Sequence, residues 1–118
     1  MTRNPCPCCG YQTFSEGPGS YENCRICTWE DDYTQLTCPT QGGGPNISLV
    51  EAQRNYVAFG CTEKRRKHFS RAPTTADVRD PGWRPLTPAD ISELESADNE
   101  DLRREPYYWR RTGKVRKV

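Results

Sequence analysis

Cys6-Pro7-Cys8-Cys9-Gly10 and Cys24-Arg25-Ile26-Cys27 form two C-x2-C turns with fourteen residues between them, and their reading decides the fold. Zinc takes four thiolates in a tetrahedron at about 2.3 Å, and each C-x2-C turn delivers two sulfurs from one tight loop to adjacent vertices. Pro7 fixes the entry angle of the first turn, and Gly10 supplies conformational freedom directly after the second cysteine. One structural Zn2+ on Cys6, Cys9, Cys24 and Cys27 is therefore expected. A thioredoxin-type redox pair at Cys6 and Cys9 is the competing reading, but that motif opens a helix in a strand–helix–strand pattern. An iron–sulfur site and ligation through Cys8 in place of Cys9 stay open.

The rest of the chain explains why a metal is needed. Only sixteen of 118 residues are Phe, Ile, Leu or Val, hydrophobic residues make up 33%, and the mean hydropathy is -0.98. Below roughly 20% of those four residue types, burial struggles to offset chain entropy, although the net charge of +1 lacks the high value of disordered chains. Metal binding can contribute on the order of 10 kcal/mol of folding free energy. Seven cysteines cannot all pair within one chain, and the start Met1-Thr2-Arg3-Asn4-Pro5 has no apolar stretch. The expectation is a cytoplasmic protein without signal peptide, membrane segment or disulfides.

Outward from the cysteines, Tyr11–Phe14 alternates aromatic and polar residues, Glu16–Ser20 is turn chemistry and Tyr21–Asn23 can return antiparallel, which predicts a hairpin between the cysteine pairs. After the Gly- and Pro-rich run 41–46, Ser48 and Glu51 have capping-box spacing. Leu49, Ala52, Tyr56 and Phe59 then recur at helical spacing, and Gly60 is placed to end the helix. Its apolar face is expected to pack on Trp29, Tyr11, Phe14 and Tyr21. Four prolines between residues 73 and 88 forbid long elements there, while Thr87-Pro88-Ala89-Asp90 predicts a helix over about 88–97, with another turn near 98–105. Tyr107-Tyr108-Trp109 reads as a terminal strand or as a tail that orders on a partner. The fold class is small α+β: a zinc-ribbon or knuckle hairpin packed on one amphipathic helix, with an irregular, partly helical C-terminal extension. Residues 1–60 make the zinc module and helix, 61–86 a basic segment packed on it, and 87–118 an acidic helix and basic aromatic tail.

Three motifs in order resemble the bacterial cysteine-rich CPCC family: Cys6–Tyr11, Gly19–Asp32, and the Gly-rich loop leading into Ser48–Gln53. The resemblance covers about residues 5–60, with Asp80-Pro81-Gly82-Trp83 as a familiar downstream piece. It implies a small zinc-bearing fold of undefined activity and an accessory or toxin-immunity type of role.

Function is read from what chemistry the residues offer. A closed four-cysteine site has no open coordination position, and no nucleophile–base pair, phosphate loop or paired carboxylates stand elsewhere, so no enzyme is expected. Cys38 and Cys61 read as small buried side chains, and His68 as exposed. The leading reading is a protein-binding module. Trp29 beside Glu30, Asp31 and Asp32 would give an aromatic anchor in an acidic field suited to a basic partner such as a toxin or nuclease. The alternative for Trp29 is packing under the helix, with the acids in water. Charge is blocked along the chain, at −3 over 1–60, +4 over 61–86, −5 over 87–105 and +5 over 106–118. The second functional reading is nucleic-acid binding through Lys64-Arg65-Arg66-Lys67 and the 107–117 segment, where aromatics would stack bases beside arginines. The acidic zinc module opposes it.

Overall fold

The computed structural model describes residues 3–43 and 47–111. Two short strands, β1 (Asn4–Pro5) and β2 (Gln12–Phe14), pair antiparallel, Asn4 opposite Phe14 and Pro5 opposite Gln12. Among the described residues four helices follow, α1 (Tyr33–Thr37), α2 (Leu49–Phe59), α3 (Pro88–Ser96) and α4 (Asn99–Arg104), with short 3-10 segments at Lys64–Phe69 and Tyr108–Arg110. No helix among the described residues is long and apolar enough to cross a membrane.

The predicted hairpin between the cysteine pairs is not formed. Instead, each C-x2-C turn closes its own ribbon. β1 and β2 flank the first turn, and residues 21–23 pair with 29–31 around the second, where Tyr21 N donates to Asp31 O at 3.0 Å and Asp31 N to Glu22 O at 2.9 Å. The physical reason is local: a tight cysteine turn reverses the chain, so the segments entering and leaving it are the nearest available partners.

Helix α2 forms where the sequence places it. The Ser48 hydroxyl accepts from Glu51 N at 3.2 Å, and Gly60 closes the helix at φ +82° with its N–H on Tyr56 O at 2.8 Å. The Glu51 carboxylate accepts from the Ser48 hydroxyl, so the box is not fully reciprocal. Leu49 and Ala52 are fully buried, Tyr56 packs half-buried on the core, and Gln53 is buried in their midst. Of the expected facing surface, Trp29, Phe14 and Tyr11 pack in or on the core, but Tyr21 is exposed. Pro88 at the first helical position and a reciprocal Thr87–Asp90 box start α3, and Asp98 caps α4.

The C-terminal part wraps back over the first cysteine turn. Tyr107, Tyr108 and Trp109 are buried against the core, so this tail is neither strand nor a free aromatic platform. Tyr108 OH donates to Arg84 O, and Asp80 accepts from Trp109 Nε1 at 3.2 Å and Arg110 Nη2 at 2.6 Å. Burial works against the Asp80 charge, but the Gly82 amide, Arg110 and Trp109 outweigh it and hold its pKa below the usual carboxylate value. The basic residues expected to act at 112–117 lie outside the described residues.

Candidate metal centre

The four cysteines singled out by spacing are brought together, with all four sulfurs within 4.8 Å of one another and all four side chains buried. Cys6 Sγ lies 3.6 Å from Cys27 Sγ, and Cys9 Sγ lies 3.7 Å from Cys24 Sγ. A tetrahedral ion with sulfurs at about 2.3 Å sets them about 3.8 Å apart along each edge. The donor set therefore fits a metal ion, with each close pair drawn from both cysteine turns. Cys8 is also buried, but falls outside this group.

The two turns are built alike. Gly10 N donates to Cys6 O at 2.6 Å and Cys6 N to Tyr11 O at 2.9 Å; Thr28 N donates to Cys24 O at 2.9 Å and Cys24 N to Trp29 O at 2.8 Å. The equivalence extends to the backbone after the last cysteine, where Gly10 has φ +83° and Thr28 has φ +74°. A β-branched residue in the left-handed region is strained by about 1–2 kcal/mol. Thr28 is held there by its hydroxyl, 2.8 Å from that of Thr62, and by Thr62 N donating to Cys27 O at 3.0 Å. The alignment of the two cysteine turns is the sequence signal that would have found this position.

Electrostatics favour a cation at the centre. Burial pushes the Cys6 and Cys27 thiols well up, while hydrogen bonds from Cys27, Cys6 and Cys9 hold Cys24 well below the usual thiol value. Thr13 Oγ1 donates to Cys24 Sγ at 3.2 Å and Ile26 N does so at 3.4 Å. Without a cation, such a cluster supports one thiolate more readily than four; a dication offsets the rest.

The first cysteine turn is also clamped from distant sequence. Pro7 O accepts from Gln53 Nε2 and from Trp83 Nε1, both at 3.0 Å; Cys9 O accepts from Arg79 Nε at 2.9 Å; Gly10 O accepts from Asp80 N at 2.8 Å. Gln53 also donates to Tyr108 OH at 2.9 Å and accepts from Leu86 N at 2.8 Å, tying helix, knuckle and tail together. Sequence reading missed Gln53, because a polar residue inside an apolar stripe carries no signal of its own.

The expected partner surface is corrected at two of its four residues. Trp29 is 0% exposed and Asp31 is 3% exposed, so neither offers a contact. Trp29 takes the packing alternative, and Asp31 accepts from Ser20 N at 3.1 Å and Ser20 Oγ at 2.6 Å. Glu30 and Asp32 are half-buried, and Asp32 caps α1 by accepting from Thr34 N at 2.9 Å. Of the spare thiols, Cys61 is buried as expected, but Cys38 is exposed at the end of α1. His68 is exposed beside Phe69, their ring centroids 4.0 Å apart.

The model of the family described as Cysteine-rich CPCC matches residues 4–77, which takes in both cysteine turns and α2. No curated protein matches the chain.

Proposed function

This chain belongs to the cysteine-rich CPCC family, and from that premise we propose that it is a non-enzymatic, zinc-stabilised protein-binding module. The observation that supports the reading is the set of four buried thiols within 4.8 Å of one another, two pairs of them 3.6 and 3.7 Å apart, which is enough to supply every vertex of a tetrahedral ion. A site of this kind leaves no position for water or substrate, and its role is to fix a fold. Zinc is the proposed ion because it takes all-thiolate tetrahedral sites and brings no redox chemistry of its own, although the same four-sulfur set also suits iron. With Trp29 and Asp31 inside, a basic toxin or nuclease would meet only Glu30 and Asp32, so the contact surface belongs elsewhere on the scaffold.

The nucleic-acid reading keeps one supporting observation. Lys64, Arg65 and Lys67 are exposed on the 3-10 turn beside Phe69, itself 68% exposed. Burial of Tyr107, Tyr108 and Trp109 removes the stacking half of that reading.

Affinity capture from the native cell, with and without nuclease treatment, tests the proposal. Retention of a protein partner that survives nuclease and is lost with Cys24→Ala supports it. Retention of nucleic acid alone overturns it.

A further inference from the structure

Helix α2 carries two apolar stripes. One, through Leu49 and Ala52, is buried on the cysteine module. The other runs through half-buried Val50 and exposed Val57 and Ala58 at helical spacing, with Arg54 beside them, and Val57 is 78% exposed. It forms one wall of an open groove of about 380 Å³, whose opposite wall is Pro85, Leu86 and Ile91. A second depression, floored by Tyr56, Phe59 and Trp83, continues the groove past Val57 and Pro85. Within the chain, nothing among the described residues covers this surface.

We infer that this groove binds a short amphipathic, acidic segment of another protein, presenting apolar side chains at helical spacing. The inference rests on the protein-binding reading above and names its surface and partner chemistry. Three observations select the occupant. First, the only charged side chains in the lining are Arg54 and Arg79, with no carboxylate among the described lining residues, so a segment bearing Asp or Glu beside its apolar anchors is complementary. Val50 and Val57 lie seven residues apart, which spans about 10 Å of helix and matches two turns of a docked helix.

Second, the lining is unsuited to bases. Val50, Val57, Leu86 and Ile91 in the groove are aliphatic; in the second depression the Arg79 guanidinium lies 4.8 Å from the Trp83 ring centroid and Lys64 Nζ 5.8 Å from that of Phe59, and Tyr56 is half-buried. Those faces are not open stacking platforms. Third, a second copy docking through the same surface about a twofold axis would bring the Arg54 and Arg79 cations of both copies into one interface whose described lining offers no carboxylate to either.

The test is to pan a random peptide library of about 12 residues against the zinc-loaded full chain, and to measure binding of the enriched peptides to wild type, Val57→Asp and Arg54→Glu. Both substitutions fall on exposed side chains, so zinc content and melting temperature should match wild type. Enriched peptides should carry Asp or Glu flanking apolar residues at i and i+3 or i+4, and should bind Val57→Asp at least about tenfold more weakly. Arg54→Glu should weaken them and flatten their salt dependence.

Basic or unpatterned peptides, no enrichment, or Val57→Asp binding at wild-type affinity would overturn the inference. So would oligo(dT) binding in the groove, seen as a loss on Arg54→Glu, or self-association abolished by Val57→Asp. A partner captured from the cell that binds Val57→Asp as tightly as wild type would remove the groove and leave the protein-binding reading standing; nucleic acid as the sole retained species would remove both.

Discussion

Replacing Gly10 by Ala should destabilise the domain, and the structure gives the magnitude. Gly10 sits at φ +83°, where an L side chain costs about 1–2 kcal/mol. A Cβ there would lie 2.6 Å from Trp83 Cδ2 and 2.7 Å from Trp83 Cγ, both within the indole ring. The ring cannot swing aside freely, because its Nε1 is bonded to Pro7 O at 3.0 Å and its face holds Arg79. Displacing it forfeits that hydrogen bond, about 1 kcal/mol net, together with part of the packing around a half-buried indole. The sum is roughly 3–4 kcal/mol, a large share of the stability of about 5–15 kcal/mol typical of a domain. Denaturant unfolding of the zinc-loaded protein, followed by tryptophan fluorescence, measures it. In a Trp83→Ala background only the backbone cost should survive, so Gly10→Ala should cost about 1–2 kcal/mol there, roughly 2 kcal/mol less than in wild type. A Gly10→Ala protein within about 0.5 kcal/mol of wild type, or an equal cost in both backgrounds, would refute the close approach of indole and knuckle.

Gln53→Leu keeps the volume but leaves Leu86 N without its acceptor and removes one donor to Pro7 O, so chemical denaturation should report a loss of about 2–4 kcal/mol. Ser48→Ala removes the α2 cap and should cost about 1 kcal/mol by the same assay. Asp80→Asn should destabilise at neutral pH. Because the Asp80 pKa is depressed in the fold, its contribution is fully present above the unfolded value of about 3.9 and is lost as pH falls through the lower folded value. The stability gap between wild type and Asp80→Asn should therefore narrow below about pH 4, and taking the difference cancels acid-driven metal loss common to both. A gap constant with pH would show that Asp80 does not act as a charge.

What the sequence made legible was local. Ligand spacing in Cys6–Cys9 and Cys24–Cys27, the Ser48 and Thr87 caps and the Gly60 stop each depend on residues within one turn of one another, and all appear where the pattern puts them. The strand pairing was misread because alternation in Tyr11–Phe14 identifies a strand without saying which neighbour it takes. Trp29 shows the same limit at a single residue: an aromatic beside three acids reads equally as anchor or as core, and only the packed fold makes it core. The clamp on the first knuckle was out of reach for a different reason. Pro7 O, Cys9 O and Gly10 O are backbone groups, which look alike in every sequence, and their partners Gln53, Trp83, Arg79 and Asp80 come from far along the chain. The burial of Tyr107–Trp109 follows from the same long-range closure, through Asp80 and Gln53.

On the proposed reading, one closed, four-thiolate zinc centre holds this chain in its fold. Sulfur and zinc quantitation by native mass spectrometry, joined to X-ray absorption at the zinc edge, tests it most directly on the purified full chain. One zinc per chain with four sulfur neighbours at about 2.3 Å is expected, with loss of both the ion and the cooperative fold in Cys24→Ser. A folded chain without metal, a centre with nitrogen or oxygen neighbours, or a Cys24→Ser protein that melts like wild type would contradict it.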